Sequence, residues 1–140
     1  MARDPIRFVL LLLAALAMGG VGSAAAKVRV VTTLPDLAAI VSEVGGDHVQ
    51  VTALASPRQD PHYVDAKPSL LVPLSRADLF IINGVELEVG WVPPLQVGSR
   101  NPRILRGQPG FFEAANHVTL MEVEQGRVDR SMGDVHPGGN

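Results

Sequence analysis

Cysteine is absent from the 140 residues of this sequence. No disulfide can therefore stabilise the fold, and the lipid-modified cysteine that anchors bacterial lipoproteins is excluded, so we expect no membrane anchor. Aromatic residues are also scarce, at 4% of the chain with a single tryptophan. So few aromatic side chains do not favour an exposed aromatic patch of the kind that an adhesive surface protein would use.

Positive charge is neither abundant nor clustered. The 12 lysine and arginine residues stand against 14 aspartate and glutamate residues, which gives a formal net charge of −2. Nucleic-acid binding requires a basic surface that neutralises phosphates, and no run of this chain offers one. We therefore expect no nucleic-acid partner.

A hydrophobic run long enough to span a membrane is missing at the N-terminus. The apolar run Phe8–Met18 is well short of the roughly 20 residues that a spanning helix needs. Two arginines precede it and the small residues Ser23–Ala26 follow it, which predicts a cleaved secretory signal peptide over residues 1–26. We expect residues 27–140 to form one soluble, monomeric domain in the periplasm.

Residues 27–53 have the pattern of a strand, a helix and a second strand. Lys27–Thr33 is rich in β-branched residues, and Val49–Ala53 alternates apolar with polar residues. Between these two segments, apolar residues recur at helical spacing from Pro35 to a Gly45-Gly46 stop. The apolar face that we expect to pack on the sheet consists of Leu37, Ile40, Val41 and Val44.

The following residues continue this alternation. Pro68-Ser69 begins a second amphipathic helix, and Asp78–Ile82 is an apolar third strand. Trp91–Leu95 opens a helix with prolines in its first turn, and His117–Val123 has the composition of a further strand. The alternation predicts an α/β fold with a mostly parallel sheet flanked by helices.

One histidine lies at the predicted ligand-binding edge. In open α/β sheets, ligands bind beyond the carboxyl ends of the strands, where the polar loop Ser56–Lys67 follows the second strand. The imidazole of His62 suits Zn²⁺ or Mn²⁺, and Pro61 restricts the backbone before it. We expect Asp60 to be a buried carboxylate that orients this ring. A lone loop histidine is more often a surface residue, so spacing alone does not decide its role.

Several short motifs occur in a fixed order along the chain. They are Gly45-Gly46-Asp47, Asp60-Pro61-His62, Pro68-Ser69, Ala77-Asp78, Asn83-Gly84 with Glu88 and Trp91, and the tail Gly133–Asn140. In this order they resemble the zinc/manganese family of periplasmic solute-binding proteins of ABC importers. The main stretch of resemblance spans residues 28–84.

The resemblance implies that His62 is a ligand of a transported Zn²⁺ or Mn²⁺ ion, which is not a catalytic cofactor. It implies that residues 27–140 are the N-terminal lobe of a two-lobe receptor with a helical backbone. The second ligand is expected two positions beyond Asn140, and the other two in a second lobe, so we expect the chain to be a truncated part. The implied partners are the permease subunits of an ABC importer.

Other residues are weaker candidates. His136 is the other candidate ligand within the chain, although the resemblance places it outside the coordination shell. His48 and His117 are expected to face solvent. Glu86 and Glu88 are expected to be a solvated pair rather than a catalytic one, because nothing positions a catalytic partner beside them.

Two other classes of protein stay open as alternatives. A secreted domain with an open Zn²⁺ position could catalyse hydrolysis. The sequence contains no His-Glu-x-x-His, Gly-x-Ser-x-Gly or phosphate-loop motif, so we expect the chain not to be an enzyme. An adhesin-like surface protein is the second alternative, and the missing anchor cysteine argues against it.

Overall fold

The computed structural model describes residues 26–119, in which strands and helices alternate. The strands are β1 (Val28–Thr32), β2 (Val49–Ala53), β3 (Leu79–Ile82) and β4 (Phe111–Glu113). The helices are α1 (Pro35–Gly45), α2 (Leu71–Arg76) and α3 (Val92–Gly98). Single 3₁₀ turns lie at Gly46–His48, Pro68–Leu70, Pro102–Ile104 and Ala114–His117. The predicted signal-peptide cleavage and His136 fall outside the part that can be described, and only Ala26 of the predicted leader lies within it.

The four strands form one parallel sheet in the order β2-β1-β3-β4. Strand β1 is central, and its Val30 lies opposite Val51 of β2 and Leu79 of β3. Strand β4 pairs on the far side, with Phe111 opposite Phe80. The predicted α/β fold with a parallel sheet is confirmed. Because all four strands run the same way, the loops that follow them leave from one edge of the sheet.

The hydrophobic core connects the sheet, helices α2 and α3, and the loop that follows β2. Its largest fully buried side chains are Trp91, Phe80, Leu74 and Ile104. Val64, in the middle of the loop, is 2% exposed and belongs to the same cluster. The loop after β2 is therefore attached to the core rather than lying freely over the surface.

Helix α1 exposes more of its apolar face than its sequence pattern predicts. Ile40 and Val44 are 61% and 84% exposed, and no residue of the helix is fully buried. Leu37 and Val41 of the predicted face are half-buried, together with Ala38 and Gly45, so the prediction holds for only two of its four residues. A Cβ atom on Gly45 would lie 2.5 Å from the Val49 side chain, so the end of the helix approaches the start of β2 closely.

The fourth strand also lies elsewhere than predicted. It is Phe111–Glu113, whereas His117 ends a 3₁₀ turn and Val118 is exposed. Phe111 packs against the core and lies opposite Phe80 of β3. The last residues of the predicted strand, 120–123, lie outside the described range. Within that range, no helix has the length and apolar character needed to cross a bilayer.

An ion-pair cluster fixes the opposite, amino-terminal edge of β1 and β3. The Asp78 carboxylate accepts hydrogen bonds from the backbone N–H and the guanidinium of Arg29, at 3.0 to 3.1 Å. Arg103 lies 3.2 Å from the same carboxylate. The hydrogen bonds from Arg29 lower the pKa of Asp78 from 3.8 to about 2.

Replacement of Asp78 by Asn is expected to reduce the loss of unfolding free energy that accompanies a fall in pH. A depressed carboxylate pKa stabilises the fold above the unfolded pKa, and this contribution is lost as pH falls through the folded pKa. The wild type should therefore lose on the order of 1 kcal/mol more than Asp78→Asn between about pH 4 and pH 2, after allowance for solvent screening. Urea unfolding at several pH values measures this difference, and parallel curves would contradict it.

Candidate metal centre

The loop that carries His62 begins where β1 and β2 end. Leu54 N–H and Ala55 N–H donate to the carbonyl oxygens of Thr32 and Thr33, both at 2.9 Å, which continues the parallel pairing past the strands. Both threonines are fully buried. Residues 56–67 then form turns without a regular helix or strand. The predicted position of this loop, beyond the carboxyl edge of the sheet, agrees with the structure.

Asp60 holds both the backbone and the ring of His62. Its Oδ1 accepts the backbone N–H of His62 at 2.9 Å and lies 2.9 Å from the ring Nδ1. An ionised carboxylate only accepts hydrogen bonds, so Nδ1 carries a hydrogen in this arrangement. The lone pair of the neutral imidazole is then on Nε2, an atom with less than 1 Å² of accessible surface. In this tautomer, Nε2 is the ring atom whose lone pair could coordinate a metal ion.

Asp60 differs from the prediction in its exposure. Its side chain is 56% exposed, whereas that of His62 is 17% exposed. The prediction that Asp60 is buried is therefore wrong. Asp60 reaches the ring from the solvent side because it is only two residues away in the same turn. The hydrogen bond from the His62 backbone, followed by that from its ring, lowers the pKa of Asp60. The carboxylate thus stays ionised at neutral pH, as its role toward the ring requires.

A second contact holds this turn from the protein interior. The indole Nε1 of Trp91 donates a 2.8 Å hydrogen bond to the carbonyl oxygen of Pro61. Trp91 is fully buried and lies just before helix α3. The sequence motifs include Trp91, but no spacing rule predicts this contact because the partners are 30 positions apart.

The burial of Glu88 is the feature of the site that the sequence analysis most clearly failed to predict. The predicted solvated pair is wrong: Glu86 is exposed, but Glu88 is only 2% exposed. Its carboxylate accepts hydrogen bonds from Thr33 Oγ1 at 2.7 Å, Asn83 N–H at 2.7 Å and Gly84 N–H at 3.0 Å. These donors follow β1 and β3, so Glu88 joins the carboxyl ends of the two central strands. Burial nevertheless raises the pKa of Glu88.

The turn after β3 needs this support because its backbone is strained. Gly84, Val85 and Glu86 all have positive φ, at 88°, 55° and 64°. Positive φ is unfavourable for a β-branched residue such as Val85 and costs roughly 1–3 kcal/mol. The Glu88 carboxylate accepts hydrogen bonds from the N–H groups of Asn83 and Gly84, and so stabilises the start of the turn. An Asn-Gly pair followed by a carboxylate four residues later is the sequence signal that could have indicated such a cap.

The other candidate residues are scattered. His48 and His117 are exposed, as predicted, and His117 stacks on Phe112 with ring centroids 4.7 Å apart. No group of three or more histidine, aspartate or glutamate side chains in residues 26–119 is arranged to hold a metal ion. Within that range, His62 therefore supplies at most one ligand of a coordination site, with Asp60 beside its ring.

Comparison with known proteins identifies the class. Residues 30–136 match the family described as ZnuA, zinc-uptake complex component A, periplasmic. Its members are metal-binding solute-binding proteins, and the parallel α/β lobe described above has their fold. The chain belongs to this ZnuA family.

Individual relatives agree with this assignment. The manganese ABC transporter substrate-binding lipoprotein PsaA of Streptococcus pneumoniae is 37% identical over 105 residues, 73% of this chain and 33% of the relative. The corresponding scaA protein of Streptococcus gordonii is 32% identical over 117 residues, 81% of this chain and 36% of the relative. The chain thus spans about a third of the length of these curated relatives. They are named lipoproteins, whereas this sequence has no cysteine.

Solved structures show the same fold. A crystal structure of ZnuA superimposes with a TM-score of 0.58 at 24% identity and covers 69% of this chain and 35% of that one. The metal-dependent lipoprotein YcdH of Bacillus subtilis gives a TM-score of 0.54 at 27% identity, over 69% of this chain and 34% of that one. The likeness is confined to about one third of each larger structure.

Replacement of Glu88 by Ala is expected to destabilise the lobe by about 2–4 kcal/mol, because three hydrogen-bond donors lose their acceptor. Glu88→Gln is the matched control. Its Oε1 can still accept from Thr33 and Asn83, but its amide N–H₂ would face the Gly84 N–H, so a smaller loss of about 1–2 kcal/mol is expected. Guanidinium unfolding measures both losses. Equal stability of Glu88→Ala and wild type would show that Glu88 does not hold the strand ends.

Proposed function

We propose that this chain is the metal-holding lobe of a periplasmic receptor that captures Zn²⁺ or Mn²⁺ and delivers it to an ABC importer. The observation that carries the proposal is the oriented imidazole of His62 at the carboxyl edge of a ZnuA-family lobe. In the proposed site, His62 binds the ion through Nε2, and Asp60 orients the ring without touching the metal.

The site requires further ligands. A zinc site keeps three or four protein ligands, and one imidazole with water binds weakly and with little selectivity. In the proposal, residues 27–140 form one lobe after removal of a leader over residues 1–26, and a second lobe supplies the other ligands. The partial coverage of the relatives supports this division, because they are about three times as long as the matched region.

The proposed role is transport without catalysis. The names of the relatives, manganese ABC transporter substrate-binding lipoproteins, support a divalent metal as cargo and permease subunits as partners. The ZnuA structures and the ZnuA family description support zinc as the alternative cargo. Nitrogen-rich tetrahedral sites favour Zn²⁺, whereas added carboxylate oxygens suit Mn²⁺, so the ligands outside residues 26–119 set the choice.

Substitution of His62 by Ala in the protein expressed from its complete reading frame is expected to lower affinity for the transported ion by more than about 100-fold. Loss of a residue that only orients a ligand already lowers metal affinity by roughly 10- to 100-fold, and loss of the ligand itself should exceed this. Calorimetric titration with Zn²⁺ and with Mn²⁺ measures the change.

His48→Ala is the matched control, since His48 is an exposed histidine in a separate turn. Its affinity should stay within about twofold of wild type, the scale expected for a surface substitution far from the site. Unchanged affinity in His62→Ala, with both variants folded by circular dichroism, would overturn the proposed site.

The coding DNA gives an independent check on the proposed two-lobe arrangement. Sequencing about 500 bases past the Asn140 codon is expected to reveal a frame that continues with Pro-His, a long helix and further metal ligands. A stop codon directly after Asn140 would contradict the proposed role as a lobe of a complete receptor.

A further inference from the structure

One peptide group connects the proposed metal ligand to the hydrophobic core. The carbonyl oxygen of Pro61 accepts the indole N–H of Trp91 at 2.8 Å. The N–H of the same peptide group belongs to His62 and donates to Asp60 at 2.9 Å. Because a peptide group is planar, hydrogen bonds at both of its polar atoms fix the orientation of the plane. The Cα of His62 lies in that plane, so its position is fixed as well, and the contact of Nδ1 with Asp60 then directs the ring.

The tryptophan is itself held in place. Trp91 is fully buried, and its backbone N–H donates to the Glu88 carbonyl oxygen at 3.2 Å. The Glu88 carboxylate binds Thr33 and Gly84 at the ends of the two central strands. A continuous set of hydrogen bonds therefore runs from the sheet through Glu88 and Trp91 to Pro61.

We propose that Trp91 is a positioning residue for the metal site, whose indole N–H fixes the Pro61–His62 peptide plane and thereby aims the His62 imidazole. This inference rests on His62 being the metal ligand. Asp60 is more than half exposed and lies in the same turn, so it can orient the ring within the turn but cannot fix the turn relative to the sheet. The indole supplies that second constraint from inside the core. A ligand held this way loses less conformational freedom when it binds the ion.

The test compares Trp91→Phe with Ile104→Val in the protein expressed from its complete reading frame. Phenylalanine keeps an aromatic ring in the core but removes the N–H donor. Ile104 is fully buried in the same core cluster, so Ile104→Val removes one methylene without altering a hydrogen bond to the loop. Trp91→Phe is expected to lower Zn²⁺ affinity about tenfold, as for loss of other residues that orient a ligand, and Ile104→Val less than about twofold.

A spectroscopic readout separates positioning from general stability. The ¹⁵N order parameter of the His62 backbone N–H reports how rigidly the Pro61–His62 peptide plane is held, and it is expected to stay unchanged in Ile104→Val and to fall in Trp91→Phe. Equal affinity and an unchanged His62 order parameter in Trp91→Phe would overturn the inference.

The wild type provides a measurement that does not depend on the folding of Trp91→Phe. Addition of Zn²⁺ is expected to shift the Trp91 indole N–H resonance, and the same addition to His62→Ala should leave it unmoved. If the wild-type indole resonance does not shift when Zn²⁺ is added, while His62→Ala weakens Zn²⁺ binding, the positioning role is overturned and the proposed function is left intact. Unchanged Zn²⁺ affinity in His62→Ala would overturn both.

Discussion

The buried carboxylate of Glu88 is the contact on which the rest of the carboxyl edge depends. The edge of a parallel sheet exposes backbone N–H groups where the strands stop, and a buried donor without an acceptor costs about 1–3 kcal/mol. Glu88 accepts three donors there, from Thr33, Asn83 and Gly84. Burial of a carboxylate is itself unfavourable, as the raised pKa of Glu88 indicates. Hydrogen bonds from two backbone N–H groups and one fully buried hydroxyl offset this cost, and they attach the carboxylate to the ends of β1 and β3.

Two further sets of contacts connect Glu88 to the candidate site. The chain between Glu88 and α3 forms one turn, and that turn sets Trp91 into the core beneath the loop of residues 56–67. Trp91 then reaches the Pro61 carbonyl, while Val64 anchors the same loop through apolar packing. Loops that carry ligands are usually the mobile part of a fold. Here polar and apolar contacts to one core restrain the segment on which His62 lies.

The sequence predicted what depends on local pattern and missed what depends on distant partners. The alternation of β-branched runs and helical spacing was enough for the parallel α/β fold and for the loop after β2. The burial of Glu88 was not predictable, because its partners lie at the ends of two separate strands and no periodicity connects them. The apolar face of helix α1 was only partly predicted for a related reason: the 3.6-residue period identifies the face, but its orientation depends on contacts with the sheet, such as the close approach of Gly45 to Val49. The turn Asp60-Pro61-His62 is local, so its existence was predictable, yet the exposure of Asp60 depends on how the turn sits on the protein.

In the proposed receptor, a single oriented imidazole on this lobe would suit a protein that must release the ion it binds. If one lobe carried the complete ligand set, the ion would stay bound whatever the rest of the protein did. A lobe that offers one oriented ligand binds weakly alone, so high affinity arises only when ligands from elsewhere join it. In the proposed receptor, small displacements that separate those ligands would then lower affinity steeply, because each lost ligand removes a large share of the binding free energy. The contacts that hold the His62 turn would serve this arrangement, since a loop that moved with the ion would keep coordinating it and make affinity less dependent on the other ligands.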